Sequence, residues 1–288
     1  MKLPILKFYA RGKEYVFSGT QVMGIVNVTP DSFYAGSRVS GEEALRQRVR
    51  QIVEEGASMI DVGAYSTRPD AAEVSAQEEL DRLSAALPVI REELAALGQS
   101  DMLVSVDTFR ASVAEACVTG LGADLINDVS GGTLDADMLA VVARTKVPYI
   151  LMHMRGTPQT MQQLTDYDEP LTMAVGRFFD EQLQKLYALD KDAQVILDPG
   201  FGFAKTLEQN YVLFSNMPLL MQRFATLPML VGISRKSMIY RLLGTTADEA
   251  LNGPTVLNTL ATQMGAHILR VHDVRAAVEV VRIVGLAC

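Results

Sequence analysis

Short apolar runs alternate with amphipathic stretches along most of this chain. Eight of the runs end in a polar residue, and a stretch with helical spacing of apolar residues follows each one. The eight polar residues are Asn27, Asp61, Asp107, Asn127, His153, Asp198, Ser234 and Arg270. Alternating strands and helices are typical of a parallel sheet covered by helices. Eight such units predict an α/β fold, a (β/α)8 TIM barrel, whose chemistry lies at the carboxyl ends of the strands.

The same pattern predicts the bounds of the elements. The predicted barrel strands are residues 22–26, 59–62, 103–106, 125–127, 149–152, 195–197, 229–233 and 267–271. Amphipathic helices are predicted over residues 42–54, 76–94 and 174–189. Two connections, 28–40 and 154–168, are long for a compact domain, and loops of that kind often close over a binding site.

The start of the chain predicts a β-hairpin. Two β-prone runs, residues 5–9 and 14–17, flank the turn signal Arg11-Gly12-Lys13. We expect this hairpin, within residues 1–18, to cover the floor of the barrel. The length of 288 residues somewhat exceeds the roughly 250 that are typical of one such barrel. We therefore expect a single domain over residues 1–288.

Composition narrows the functional class. Hydrophobic residues make up 49% of the chain and the formal net charge is -8, so the chain lacks the basic balance of a nucleic-acid-binding protein. It contains two cysteines, Cys117 and Cys288, which indicates no disulfide framework. The sequence shows neither a secretory h-region nor an apolar run that could span a bilayer. We expect a cytoplasmic protein without membrane or nucleic-acid partners.

Three polar residues after buried runs predict a binding site for a flat, hydrogen-bonding molecule. Asp107, Asn127 and Asp198 would bring acceptors and an amide into the barrel mouth. Asn27, at the end of the first barrel strand, could contact phosphate or ligate a hard cation through its amide oxygen. Each of these residues could instead cap a helix or turn. Three matching positions favour a shared site.

The last two strands are followed by groups that suit an anion. Ser234-Arg235-Lys236-Ser237 follows the seventh strand, and Arg270-Val271-His272-Asp273 follows the eighth. In barrels of this type the loops after strands seven and eight frequently bind phosphate. Arg270 and His272 would face the same way if the strand continued that far. The sequence therefore predicts a local cationic site in an acidic protein.

Several motifs together resemble the dihydropteroate synthase family. Their order and spacing extend from Met23 to Asp273, nearly the whole chain, so the set is more specific than any one motif. The motifs are V-N-V-T-P-D-S-F at 26–33, S-T-R-P at 66–69, S-V-D-T at 105–108, I-N-D-V-S-G at 126–131, M-H-M-R-G-T-P at 152–158, L-D-P-G-F-G-F at 197–203, S-R-K-S at 234–237 and R-V-H-D at 270–273.

The resemblance implies a transferase of folate biosynthesis. Such an enzyme condenses 7,8-dihydropterin-6-ylmethyl diphosphate with 4-aminobenzoate, giving 7,8-dihydropteroate and pyrophosphate, with Mg2+ as cofactor. It also implies a homodimer and a target of sulfonamides. The implied pterin-binding residues are Asp107, Asn127, Met152, Asp198, Phe203, Lys236 and Arg270. The implied 4-aminobenzoate-binding residues are Thr67, Arg68, Pro69, Phe203, Lys236 and Ser237.

The resemblance also implies which residues take part in the chemistry. These are Asn27, Asp31, Lys236, Arg270 and His272, with Asn27 as the Mg2+ ligand. Loss of pyrophosphate from an electron-rich dihydropterin can proceed through a delocalised cation, so we expect no conventional general base. The first long loop, with Asp31, Phe33 and Gly36, is expected to close over the site and exclude water.

The chain departs from the family pattern at three places. Ala35 stands where many members carry a second acidic residue, Ala64 replaces a glycine, and Asp70 replaces the glycine after the S-T-R-P motif. Two alternatives stay open, the first because it shares the barrel and the Asp and Asn pterin contacts, and the second because of Ala35. One is a pterin-binding methyltransferase domain, which would need a corrinoid partner. The other is a paralogue that binds pterin without turnover.

Overall fold

The strands follow the predicted alternation. The computed structural model describes residues 4–28, 38–65 and 74–287. The strands are β1 Ile5–Ala10, β2 Lys13–Ser18, β3 Gln21–Asn27, β4 Met59–Gly63, β5 Leu103–Asp107, β6 Leu125–Asp128, β7 Tyr149–Met152, β8 Val195–Asp198, β9 Leu230–Val231 and β10 Ile268–Val271. Strands β3 to β10 lie parallel in the order β8-β7-β6-β5-β4-β3-β10-β9, and a bridge from Leu197 to Met229 joins the two edges. This arrangement confirms the TIM barrel.

Helices cover the outside of the barrel. Within the described ranges they are α1 Arg38–Glu54, α2 Ala76–Ala96, α3 Ala111–Gly120, α4 Met138–Thr145, α5 Leu171–Leu189, α6 Leu207–Ser215, α7 Met217–Arg223, α8 Ser237–Leu243, α9 Asn252–Gln263 and α10 Val274–Ala287. A short 3-10 helix, Met161–Gln163, lies in the second long connection. Buried leucine, isoleucine and valine side chains fill the layer between the helices and the sheet, as expected for helices packed on a parallel sheet.

The N-terminal hairpin closes the amino end of the barrel, as predicted. Arg11 and Gly12 have φ of 49° and 70°, and two successive positive φ angles are the signature of a tight hairpin turn. Leu6, Phe8 and Tyr15 pack against the first inward-facing residue of each barrel strand. Because this contact is apolar on both sides, polar chemistry is left to the opposite end of the barrel.

Two predicted bounds are wrong. Strand β9 was expected over residues 229–233 but spans Leu230–Val231, because the chain turns at Ile233, whose carbonyl accepts from the Lys236 amide. The loop expected over residues 28–40 ends earlier, since α1 begins at Arg38. Gly41 lies inside the first turns of this helix, where a glycine is tolerated at a cost of about 1 kcal/mol.

Helix lengths and apolar content bear on the membrane prediction. Across the three described ranges, the chain has no helix that combines the length and apolar character needed to cross a bilayer. Cys117 is a free, buried thiol, and burial raises its pKa to about 12. Its thiol therefore stays protonated near neutral pH.

Candidate active site

Strand periodicity places the polar residues in one layer above the apolar floor. Side chains alternate along a strand, so the residue two positions after a floor residue also faces the barrel interior. Leu125 is followed in this way by Asn127, and Ile268 by Arg270. The same relation links four more pairs: Met59 with Asp61, Leu103 with Ser105, Ile150 with Met152, and Ile196 with Asp198. The sequence thus changes from apolar to largely polar within one step of the strand period.

Arg270 holds the centre of this layer. Its Nε lies 2.6 Å from Oδ2 of Asp61, and its second terminal nitrogen lies 2.7 Å from Oδ2 of Asp107. Asn127 donates its side-chain amide to the same Asp61 oxygen at 3.1 Å. These contacts join residues from four strands, which fixes the planar guanidinium in the barrel mouth. Arg270 was predicted only as a ligand of pterin and phosphate, and the structure adds two ion pairs with carboxylates.

Asp61 was not among the predicted site residues. Its side chain is fully buried, and its Oδ1 has no hydrogen-bond partner among the described residues. The signal was present in the sequence, because Asp61 is one of the eight polar residues that end apolar runs. Its link to Arg270 spans 209 positions of the chain, which periodicity does not reveal.

The pKa of Asp107 is unusually high for an aspartate. Burial raises the pKa of Asp107 to about 7, although the Arg270 guanidinium opposes this shift and the nearby Asp61 carboxylate adds to it. An aspartate that titrates near neutrality is typical of a functional site. Asp107 is therefore divided between a charged and a neutral form at physiological pH.

Asp198 and Lys236 form the second polar group of the mouth. Asp198 Oδ1 accepts from the Gly200 amide at 2.8 Å, and burial raises the pKa of Asp198 against the opposing charge of Lys236. Lys236 Nζ donates to the Phe201 carbonyl at 2.5 Å and lies 4.7 Å from the centre of the Phe203 ring. Desolvation lowers the pKa of Lys236 to about 8, so its ammonium is retained at neutral pH.

An apolar wall faces these polar groups. Met152 and Phe203 belong to one buried cluster, which the loop after β7 extends with Met154 and Met161. Phe203 is 9% exposed, so most of the residue packs inside the protein, and its ring lies beneath Lys236 Nζ. A planar heterocycle between this wall and the carboxylates would have both apolar contact and hydrogen-bonding partners.

Asn27 and His272 lie on the side of the mouth nearest β3 and β10. A Cβ atom added to Gly63 would lie 3.6 Å from Cβ of Asp107 and 3.9 Å from Oδ1 of Asn27, so the Asn27 carboxamide lies close to Asp107. Asn27 and His272 both line a cleft of about 720 Å³ between the barrel and helices α1 and α10. This cleft adjoins the polar layer at Asn27.

His272 differs from the prediction in two respects. Strand β10 ends at Val271, so strand alternation does not align His272 with Arg270. Its Nδ1 lies 3.1 Å from the Ser234 hydroxyl. Burial lowers the pKa of His272 to about 4, with the charge of Arg270 adding to this effect. His272 is therefore a neutral hydrogen-bonding group at pH 7 and adds no positive charge.

Arg235 is paired with two carboxylates that do not belong to the polar layer, Asp248 and Asp273. Ser237, predicted on the aminobenzoate side, is the first residue of α8 and directly follows Lys236. Four predicted site residues lie outside the described residues: Asp31, Thr67, Arg68 and Pro69. The same holds for Phe33, Ala35, Gly36 and Asp70.

The oxygen atoms near Asn27 determine whether this part of the mouth could bind a metal ion. In the described part of the chain no cluster of three histidine, cysteine, aspartate or glutamate side chains could hold a metal by itself. Mg2+ commonly binds through one or two protein oxygens together with water and substrate phosphates. Asn27 is exposed at a strand end and, like Asp107, borders the space above Gly63, and its carboxamide oxygen fits that mode of binding.

Comparisons with known proteins agree with this geometry. The model of a family described as pterin binding enzyme matches residues 23–272. The dihydropteroate synthase of Synechocystis is 43% identical and covers 92% of this chain and 89% of its own length. The Yersinia pestis dihydropteroate synthase, solved in complex with a sulfonamide drug, superposes with a TM-score of 0.85 at 40% identity, covering 98% of both chains. The Xanthomonas albilineans dihydropteroate synthase, solved with 4-aminobenzoic acid, gives 0.84 at 36% identity, covering 98% of this chain and 97% of its own.

Proposed function

Because the chain belongs to the dihydropteroate synthase family of pterin-binding enzymes, we propose that it joins 7,8-dihydropterin-6-ylmethyl diphosphate to 4-aminobenzoate. The observation that carries this assignment is the convergence of Asp107, Asn127, Asp198 and Lys236 around Arg270, beside the Phe203 ring. The reaction breaks the bond between the methylene carbon and the diphosphate oxygen. A new bond to the aromatic amine forms, and the amine loses one proton.

Pterin recognition follows from the polar layer. The amino-pyrimidinone edge of a pterin presents adjacent donors and acceptors, which match the carboxylates of Asp107 and Asp198 and the amide of Asn127. A ring that left one of these buried groups without a partner would lose about 1–3 kcal/mol of binding. Met152 and Phe203 would cover the apolar face of the ring, and Lys236 would donate to an acceptor on its edge.

The departing diphosphate needs stabilisation of negative charge. Asn27, Arg270 and His272 are proposed to surround it, with Arg270 supplying the fixed positive charge and the other two supplying neutral contacts. Mg2+ bound through Asn27 and the diphosphate would supply further charge neutralisation. The ion pairs of Arg270 with Asp61 and Asp107 hold the guanidinium in place before substrate binds, so little reorganisation is needed during bond cleavage.

The aminobenzoate site is proposed beside Lys236. The Phe203 ring contacts Lys236, and Ser237 follows Lys236 in the sequence. Thr67, Arg68 and Pro69 stay predictions of the family resemblance. Since sulfonamides resemble 4-aminobenzoate in shape and charge, we propose that they compete for the same site. The aromatic amine is uncharged at neutral pH, and its attack on a delocalised cation requires no strong base.

Two broader predictions are also proposed here. The first is a homodimer, for which the support is apolar exposure on the late helices, including Leu243, Val256 and Ile283 at 55%, 51% and 68%. These exposed side chains are compatible with an interface if they form one patch. The second is a cytoplasmic, single-domain protein, for which the support is composition and length. Sedimentation at several concentrations would test the homodimer.

The test of the function is pyrophosphate release by the purified chain. Release should require the dihydropterin diphosphate, 4-aminobenzoate and Mg2+ together, and dihydropteroate should form in equal amount. Binding of dihydropterin diphosphate without release would support the paralogue that binds pterin without turnover. Methyl transfer from a methylated folate to a corrinoid protein would support the methyltransferase alternative, which the high coverage by dihydropteroate synthases disfavours.

The pH dependence of substrate affinity should follow Asp107. With a pKa of about 7, this carboxyl is mainly protonated at pH 6 and mainly charged at pH 8. If the charged form accepts a hydrogen bond from the pterin, KM for dihydropterin diphosphate should rise about tenfold from pH 8 to pH 6. Steady-state kinetics over this range would measure the change. In Asp107→Asn the slope should flatten, and a wild-type KM independent of pH would contradict the role.

A further inference from the structure

Lys205 makes three buried contacts that take no part in the proposed chemistry. Lys205 lies immediately before Thr206, the N-cap residue of α6, and 3% of its surface is exposed. Its Nζ lies 2.8 Å from the Gly200 carbonyl oxygen, 2.9 Å from the Phe203 carbonyl oxygen and 3.0 Å from Nδ1 of His153. An ammonium group has three hydrogens. As an ammonium, Lys205 would donate to all three partners. Burial lowers its pKa well below the usual value, and as a neutral amine it would donate to the two carbonyls and accept from the Nδ1 proton of His153.

The turn that Lys205 spans has a backbone shape that needs support. Gly200, Gly202 and Ala204 have φ of 70°, 82° and 50°, and L residues with a side chain rarely adopt such values. A Cβ atom added to Gly200 would lie 2.0 Å from the His153 carbonyl oxygen, so the turn is pressed closely against the loop after β7. By bonding carbonyls on both sides of the turn, Lys205 ties its two halves together.

His153 completes this anchor. His153 is 2% exposed, and the centre of the edge-on Phe178 ring lies 5.0 Å from the centre of its imidazole ring. Burial lowers the pKa of His153 well below its usual value, which keeps the imidazole neutral. A neutral Nδ1 can accept from an ammonium, and it can donate to a neutral amine in the other tautomer. The contact with Lys205 therefore forms in either protonation state.

The same turn supplies both contacts that hold Lys236. Lys236 Nζ donates to the Phe201 carbonyl at 2.5 Å and lies 4.7 Å from the centre of the Phe203 ring. Both residues lie between Gly200 and Lys205. A shift of the turn would move the acceptor and the ring together. The position of Lys236 thus depends on Lys205, although the structure shows no direct contact between the two.

We propose that Lys205 is a positioning residue, which locks the turn 199–204 and through it places Lys236 and the Phe203 ring for pterin binding. This inference rests on the proposed assignment of pterin to that pocket. It predicts weaker pterin binding when Lys205 is replaced, because the Lys205 side chain bonds the turn and His153. Lys236 and Phe203 are also proposed for the 4-aminobenzoate site, so use of that substrate should be impaired as well.

Substitution of Lys205 by methionine tests the proposal. Lys205→Met keeps much of the side-chain shape and removes the donors, and Lys185→Met is the control at an exposed lysine. Calorimetry should show binding of dihydropterin diphosphate weakened by about 10- to 100-fold in Lys205→Met. Circular dichroism of each variant checks that it is folded. Binding by folded Lys205→Met equal to that of wild type would overturn the proposal.

A double-mutant cycle tests whether the effect passes through Lys236. In a Lys236→Ala background, adding Lys205→Met should weaken dihydropterin diphosphate binding by no more than about threefold, because the group being positioned is already gone. Losses that multiply in full would mean that Lys205 acts independently of Lys236, and the proposal would fail. If Lys205→Met does not fold, Lys205→Gln, which keeps one donor group, is measured in the same way and should show a smaller loss.

A measurement without substrate separates this proposal from the proposed function. Acylation of Lys236 by a soluble succinimidyl ester, followed by mass spectrometry of its peptide, reports whether the amine is held by the Phe201 carbonyl. Its rate should rise several-fold in Lys205→Met and stay unchanged in Lys185→Met. If wild type binds no dihydropterin diphosphate but acylation rises, the function fails and the positioning holds. If wild type binds it and Lys205→Met alters neither binding nor acylation, the positioning is wrong.

Discussion

Lys236→Ala should reduce binding of dihydropterin diphosphate by about 10- to 150-fold, the range expected for loss of one hydrogen bond to a charged group. The variant removes the donor proposed for the pterin edge and the cation that opposes the high pKa of Asp198. With that cation gone, the pKa of Asp198 should rise further, so a larger fraction of this carboxyl becomes protonated and unable to accept from the ring. Calorimetry at pH 7.5 would measure the loss of dihydropterin diphosphate binding, and steady-state kinetics at the same pH would measure the change in turnover.

Stability should change little in the same variant. Lys236 sits in the mouth with a pKa lowered to about 8 by desolvation, so its charge is costly to keep there and its removal relieves that cost. The Phe201 carbonyl loses a donor but can bond to water at the mouth. We expect the free energy of unfolding to stay within about 1 kcal/mol of wild type, as it should in the control Lys185→Ala. Near-normal kinetics would remove Lys236 from the site.

Arg270→Met should be the most damaging single substitution in the barrel mouth. It leaves the carboxylates of Asp61 and Asp107 facing each other without the cation that each now contacts. Breaking a buried ion pair by removing one partner typically costs about 3–5 kcal/mol of stability. Turnover should be lost as well, because the fixed positive charge proposed for the departing diphosphate disappears.

The pH dependence of this loss identifies its cause. Burial already raises the pKa of Asp107, and removal of Arg270 should raise it further. Folded protein would then bind protons more tightly than unfolded protein, so stability lost at pH 8 should be partly recovered as pH falls to 5.5. Urea denaturation at the two pH values would measure the recovery.

A compensating substitution provides the control for Arg270→Met. In Arg270→Met with Asp61→Asn, one of the two like charges is absent, so much of the loss at pH 8 should be restored. The Asn127 amide, which donates to Asp61, can still find an acceptor in the asparagine carbonyl oxygen. A loss of stability equal at both pH values and insensitive to Asp61→Asn would point to packing as its cause.

The barrel and the strand-end residues could be predicted from the sequence because both depend on local periodicity. A period of two along each strand places Asp107, Asn127, Asp198 and Arg270 on the inner side, and parallel strands bring their carboxyl ends to one rim. The hairpin turn at Gly12 follows from local turn chemistry in the same way. Strand β9 was predicted too long because the chain turns at Ile233, whose carbonyl accepts from the Lys236 amide, and this turn overrides the preference of the apolar run.

Tertiary structure alone decided which of these residues bind one another. The pairing of Asp61 with Arg270, the neutral state of His272, the diversion of Arg235 to Asp248 and Asp273, and the anchor at Lys205 all depend on distances between segments far apart in the chain. Periodicity gives the side of a strand on which a residue lies. Charge state and partner choice depend on burial and neighbouring charges, which exist only once the barrel has closed.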